Sequence, residues 1–115
     1  MGRLRSELRA LSAEQACASA GVSLILKAEI VPGAEEEFAR LLSALGRKVR
    51  DREPGCLSYA PSRALGAPSH FAVHARFANY RAFRRHAETL HLKAAMPRLM
   101  ALLAGPVSME IYFDI

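Results

Sequence analysis

Between residues 22 and 113 the spacing of the apolar residues changes four times, and this succession of periods constrains the fold more than any other property of the chain. Val22, Leu24, Leu26, Ala28 and Ile30 alternate with Ser23, Ile25, Lys27 and Glu29, the pattern of a strand with one buried face. Pro32-Gly33 ends it. Phe38, Leu41, Leu42, Leu45 and Val49 then recur at i, i+3, i+4, i+7 and i+11, one apolar stripe of a helix that closes near Glu53, before Pro54-Gly55. Glu35, Glu36 and Glu37 open this helix and Arg47, Lys48, Arg50 and Arg52 close it, so its charges complement the helix dipole at both ends. Residues 56–63 read as a second strand, and residues 64–69, with Gly66 and Pro68, as a hairpin connection. Phe71, Val73, Ala75 and Phe77 alternate as a third strand. A helical pattern follows in two pieces, 80–87 and 92–103, with Pro97 marking a kink or a fresh start and Met96, Leu99 and Leu103 pointing inward. Gly105-Pro106 stops it, and Val107, Met109, Ile111 and Phe113 make the last strand.

The order β-α-β-β-α-β is the split βαβ, or ferredoxin-like, arrangement: an α+β fold with an antiparallel sheet and helices on one face. The other face must then meet solvent or another copy of the chain. Ahead of it, residues 3–20 carry Leu4, Leu8 and Leu11 at helical spacing, and Gly21 breaks the pattern. The expected organisation is a helical extension over residues 1–21 and a single domain over 22–115. With 115 residues, 51% of them hydrophobic, one core without staples suffices. Cys17 and Cys56 show no metal spacing and read as reduced thiols of a cytoplasmic protein. The small residues at 16–20 look like a signal-peptidase site, but Arg5, Glu7, Arg9 and Glu14 interrupt any apolar stretch before them, and no run has the length of a membrane-spanning helix.

The formal charge of +5 raises nucleic acid as a partner. Much of the local asymmetry is helix-end chemistry, however. Arg81, Arg84 and Arg85, with Arg3, Arg5 and Arg9, lack the interleaved aromatics or recognition motif of a nucleic-acid site, so no such partner is expected. Attraction for anionic small molecules is the milder consequence. The chain has no Gly-rich nucleotide loop, no Gly-x-Ser-x-Gly elbow and no Cys-x-x-Cys pair.

The run 71–91, an alternating strand feeding into Asn79, Tyr80, Phe83, His86 and His91, with Glu53-Pro54-Gly55-Cys56 upstream, resembles the antibiotic biosynthesis monooxygenase family of small dimeric α+β barrels. The resemblance covers roughly residues 22–113. It implies a homodimer joined through the helix-free sheet faces, and a cofactor-independent monooxygenase that oxidises a small phenol, quinol or similar aromatic with dioxygen. Deprotonation of such a substrate lets the anion give an electron directly to dioxygen, so neither a cofactor nor a metal is expected. The family often carries a glutamate where Ala75 stands and an acidic residue where Asn79 stands, so mechanisms resting on those carboxylates do not transfer. Haem-degrading relatives use a tryptophan, and this chain has none. Two alternatives stand beside this reading: a non-enzymatic dimeric ligand-binding or stress-associated protein, and a small-carbonyl isomerase.

The chemistry is sought in histidines and aromatics. His86 and His91 are five apart, off the spacing that puts two ligands on one helix face unless a break intervenes. Either they cap and hydrogen-bond within the broken helix, or one is the catalytic base. Tyr59 or Arg76 would stabilise the substrate anion, and Leu26, Phe71, Phe83 and Met96 would line a substrate cavity between helices and sheet. Arg76 shares a strand face with His74, where a structural salt bridge competes with that role.

Overall fold

The computed structural model describes residues 18–115. Residues 18–20 form a turn into Gly21, and the remainder of the expected N-terminal helix, with Cys17, lies outside the described residues. The elements are β1 (Val22–Glu29), α1 (Glu35–Arg52), β2 (Cys56–Ala64), β3 (Ala67–Phe77), α2 (Tyr80–Glu88), α3 (Leu90–Ala101) and β4 (Ser108–Phe113). The strands form one antiparallel sheet in the order β2-β3-β1-β4, the ferredoxin-like topology read from the succession of periods.

The alternation in β1 buries Val22, Leu24 and Ala28 under the helices, where they meet Val73, Ala75 and Phe77 of β3 and Phe38, Leu42, Leu45 and Val49 of α1. Phe38 packs edge-on against Phe71 with ring centroids 4.9 Å apart. These side chains, with Leu99 and Leu102 from the α3 end, make one core. The opposite sheet face has no helix over it. There Ile25 is half-buried, while Lys27 and His74 are exposed.

One boundary differs from expectation. The β2–β3 hairpin is tighter, with only Leu65 and Gly66 between the strands and Gly66 at φ +74°. Pro68 therefore lies within β3. It sits past the last β1 partner, Glu29 opposite His70, where the missing N–H costs no bond toward that neighbour. The helical region breaks at Thr89, in the gap expected between its two pieces, and Pro97, expected to mark a kink or a fresh start, lies inside α3. Thr89 leaves the helix at ψ 148°, donates its hydroxyl to the His86 carbonyl at 2.9 Å and accepts from the Leu92 N–H at 3.4 Å. It thus caps both helices, which proline cannot do. Among the described residues no helix is long and apolar enough to cross a membrane.

Candidate functional site

The last turn of α1 places Glu53 where the chain leaves the helix in an extended conformation, its N–H bonded to the Val49 carbonyl at 3.0 Å. Pro54-Gly55 then turns the chain beneath α2. The Gly55 carbonyl accepts from the Ala78 N–H at 2.8 Å, and a Cβ on Gly55 would stand 2.6 Å from the Cβ of Ala82. Only glycine permits this approach. Asn79 caps α2 by accepting from the Ala82 N–H at 2.9 Å, so the residue here needs a short oxygen-bearing side chain rather than a charge. With α2 held at both points, His86 in its last turn faces inward. The Thr89 break re-aims α3 so that His91 arrives at the same place.

Both histidines converge on Glu53. The Nδ1 of His86 lies 3.0 Å from each carboxylate oxygen, and the Nε2 of His91 lies 2.5 Å from Oε2. The three side chains are only 6, 7 and 9% exposed. An ionised carboxylate only accepts, so both rings donate to it. In a neutral His86 this leaves Nε2 as the nitrogen with a free lone pair, and in a neutral His91 it leaves Nδ1. The His86 ring packs against Phe77 and Tyr59, with centroids 5.3 and 5.6 Å away. Burial, followed by the charges of Cys56 and Glu53, pushes the Tyr59 hydroxyl up to about 12, so near neutral pH it is a proton donor and not a base. Burial and Glu53 likewise raise the Cys56 thiol, which donates to the Ser58 carbonyl at 3.3 Å; nothing here activates it as a nucleophile. A concavity of about 140 Å³ opens beside the carboxylate, bordered by Arg52, Glu53, Cys56, Ala82, Arg85 and Thr89.

The structure thus brings together Tyr59, His86 and His91 and adds Glu53, which was read from sequence as a helix end and as part of the resembling stretch but not as a site residue. Arg76 is elsewhere. It lies on the helix-free face of the sheet, donating to both oxygens of Asp114 at 2.8 and 2.6 Å and to Ser23 at 2.7 Å. The four expected lining residues do not share a cavity. Phe71 packs against Phe38 and borders a separate hollow with Pro61 and Arg63. Phe83 lies between Phe77 and Tyr80, with centroids 5.7 and 6.1 Å away. Leu26 is half-buried in β1, and Met96 is exposed on α3 rather than inward, because Leu99 and Leu102 take the core side of that helix. A larger groove of about 570 Å³ runs along α2 and is lined by Asn79, Tyr80, Arg81, Arg84, Arg85 and Glu88, a polar surface rather than an apolar cavity. Among the described residues no group of three or more His, Cys, Asp or Glu has an arrangement suited to a metal ion.

Comparison with known proteins agrees with this architecture. Residues 21–98 match the model of the antibiotic biosynthesis monooxygenase family. A Caulobacter crescentus protein described as a candidate antibiotic biosynthesis monooxygenase is similar in structure, with a TM-score of 0.82 at 24% identity over 90% of this chain and 98% of that one. PA3566 from Pseudomonas aeruginosa is similar with a TM-score of 0.73 at 27% identity, over 85% of this chain and 97% of its own. Rv0793 from Mycobacterium tuberculosis has a TM-score of 0.76 at 22% identity, over 83% and 95%. No curated protein matches the chain.

Proposed function

Because the chain belongs to the antibiotic biosynthesis monooxygenase family, we propose that it oxidises a small phenol or quinol with dioxygen and without a cofactor. The observation that carries this reading is the buried carboxylate of Glu53 held by two imidazoles. A base for such a substrate must be oriented and must be steadied when it takes a proton, and a carboxylate on the far ring nitrogen does both. His86 accepts the phenolic proton at Nε2, and Glu53 stabilises the imidazolium that results. The phenolate gives one electron to dioxygen, and the superoxide and aryloxyl radical combine in a new carbon–oxygen bond. The His86 imidazolium returns its proton to the resulting peroxide anion, and loss of water from the hydroperoxide leaves the quinone, so one oxygen atom enters the product, the other leaves as water and the base is restored. Arg52 and Arg85 border the hollow beside Glu53 and bring positive charge to it. Tyr59 adds a hydrogen-bond donor. Arg76, already bonded to Asp114 on the opposite face, has no part in this scheme.

In this proposal the working unit is a homodimer joined through the sheet faces that carry no helix, and the protein works in the cytoplasm with its thiols reduced. The half-buried Ile25 among the polar residues of that face supports the first part. Light scattering at micromolar concentration should give twice the chain mass, and a monomer would overturn it.

The test of activity is oxygen consumption with a panel of quinols in buffer free of metal and flavin. His86→Ala should lower turnover by roughly two to four orders of magnitude with binding little changed. Absence of turnover in the unmodified protein would favour a second reading, a non-enzymatic ligand-binding protein, in which the cluster simply ties α1, α2 and α3 together. The low exposure of all three side chains favours that alternative.

A further inference from the structure

Along β4 the helix-bearing face of the sheet leaves large apolar side chains exposed, and with α3 beside it this strip makes a trough. Met109, Ile111 and Phe113 of β4 stand opposite Leu26, Leu24 and Val22 of β1, and therefore on the core side of the sheet. Yet Met109 is 59% and Ile111 39% exposed, whereas Leu24 and Val22 are buried. The facing wall is α3. Its His91 and Arg98 reach Glu53 at the end of α1 and Glu37 within it, so the flank turned away from α1, which carries Met96 and Met100, looks toward β4. Met96 and Met100 are 37 and 58% exposed. Tyr80 and Phe113, with ring centroids 6.0 Å apart, close one end.

We propose that residues 1–17 of the same chain dock in this trough as an amphipathic helix and cover it. Three observations select this occupant. The described chain begins at the closed end: Gly21 accepts from the Asp114 N–H at 3.0 Å, and Ala18 borders the groove beside Asn79, Tyr80 and Arg81. The length fits, since 17 helical residues span about 25 Å and the six residues of β4 about 20 Å. The chemistry fits too. Leu4, Leu8 and Leu11 form one apolar stripe, and Glu7 and Glu14 lie along one edge of it. That edge complements Arg81, Arg84 and Arg85 of the adjoining α2 groove.

Trypsin cleavage of the full chain at Arg5 and Arg9 reads the docking directly. Both bonds should be protected in the unmodified protein. In the Leu4→Ser, Leu8→Ser, Leu11→Ser variant they should be cut at least tenfold faster, with greater fluorescence of an apolar dye. Met109→Lys changes only an exposed trough residue on an edge strand, and should produce the same gain in cleavage with the circular dichroism of the sheet domain unchanged. Equal cleavage in the unmodified chain and Met109→Lys would overturn the proposal. A Leu8→Cys, Met109→Cys disulfide in a Cys17→Ser, Cys56→Ser background should run as a single chain. A disulfide that joins two chains would assign the trough to a second copy and overturn it equally.

Discussion

Two of the carboxylates that bind nitrogen donors at close range make a direct contrast, Glu53 among the helices and Asp114 on the opposite side of the sheet. Their geometries are alike, with contacts of 2.5 to 3.0 Å at Glu53 and 2.6 to 2.8 Å at Asp114. Their surroundings are not. The Glu53 side chain is 9% exposed and the Asp114 side chain 48%. What the difference teaches is that contact distance does not set the worth of a charged group: removing a partner in a dry site strands the others, whereas water replaces a partner at the surface.

The largest expected effect is therefore at Glu53. Glu53→Ala removes the shared acceptor of two buried rings and should cost about 3–5 kcal/mol of stability in urea denaturation. A loss comparable to that of an exposed residue would mean that water already reaches the cluster, and would undo the contrast. Glu53→Gln separates charge from shape. It keeps one acceptor oxygen, so it should be less destabilising than alanine while still depressing oxygen consumption if Glu53 steadies an imidazolium.

Tyr59, packed on His86, gives the buried region a signature in pH. In the unfolded chain a tyrosine ionises near 10, whereas burial pushes Tyr59 to about 12. Its contribution is therefore fully present below pH 10 and is lost as pH rises from about 10 to 12, because only the unfolded state releases the proton in that window. Two pH units correspond to at most roughly 2–3 kcal/mol. Tyr59→Phe should remove this part of the alkaline loss, so the unmodified protein should lose stability relative to the variant by that amount as pH rises from about 10 to 12. Parallel pH profiles would show that the hydroxyl is hydrated.

A smaller effect is expected at Gly55. The missing Cβ would meet Ala82 at 2.6 Å, so Gly55→Ala must push α2 outward and should cost about 1–3 kcal/mol. Because α2 carries His86, the shift should also weaken the bond to Glu53. Activity should fall more than stability alone explains, and an unchanged activity would show that α2 tolerates the displacement.

Legibility from sequence divides along the same line. The strands and α1 were readable because each rests on a local period, and the core residues Val22, Leu24, Phe38, Leu45, Val73 and Phe77 follow from it. The break between the two helical pieces was readable, but the role of Thr89 in it was not, because a threonine that caps two helices has no composition of its own. The meeting of His86 and His91 depends on that break, and five-residue spacing argues against it on a continuous helix. Glu53 did leave a signal. A carboxylate closing a helix whose last turn carries Arg50 and Arg52 opposes the helix dipole, and such a residue calls for a distant partner. The expected cavity failed because apolar identity in strands and helices does not say which side chains face the same hollow: Phe71 and Phe83 are both aromatic and pack in different parts of the core.

The smallest effect completes the contrast at Arg76 and Asp114. Arg76 holds the Asp114 carboxyl below the usual carboxylate range, first through its hydrogen bonds and then through its charge. A lowered folded value contributes stability above the unfolded value, and that contribution is lost as pH falls through the folded one. The protein should therefore be more stable than Asp114→Asn near neutral pH, and acidification should close this gap only at the low end of the carboxylate range. The gap should be smaller than the alkaline one at Tyr59, because both partners are largely in water. Salt adds a second check. At 1 M ionic strength the Debye length is about 3 Å, so the gap should nearly vanish, while the cost of Glu53→Ala should persist. If instead the gap survives high salt, the helix-free face is not in water in solution, and the surface pair belongs to a buried interface between two sheets.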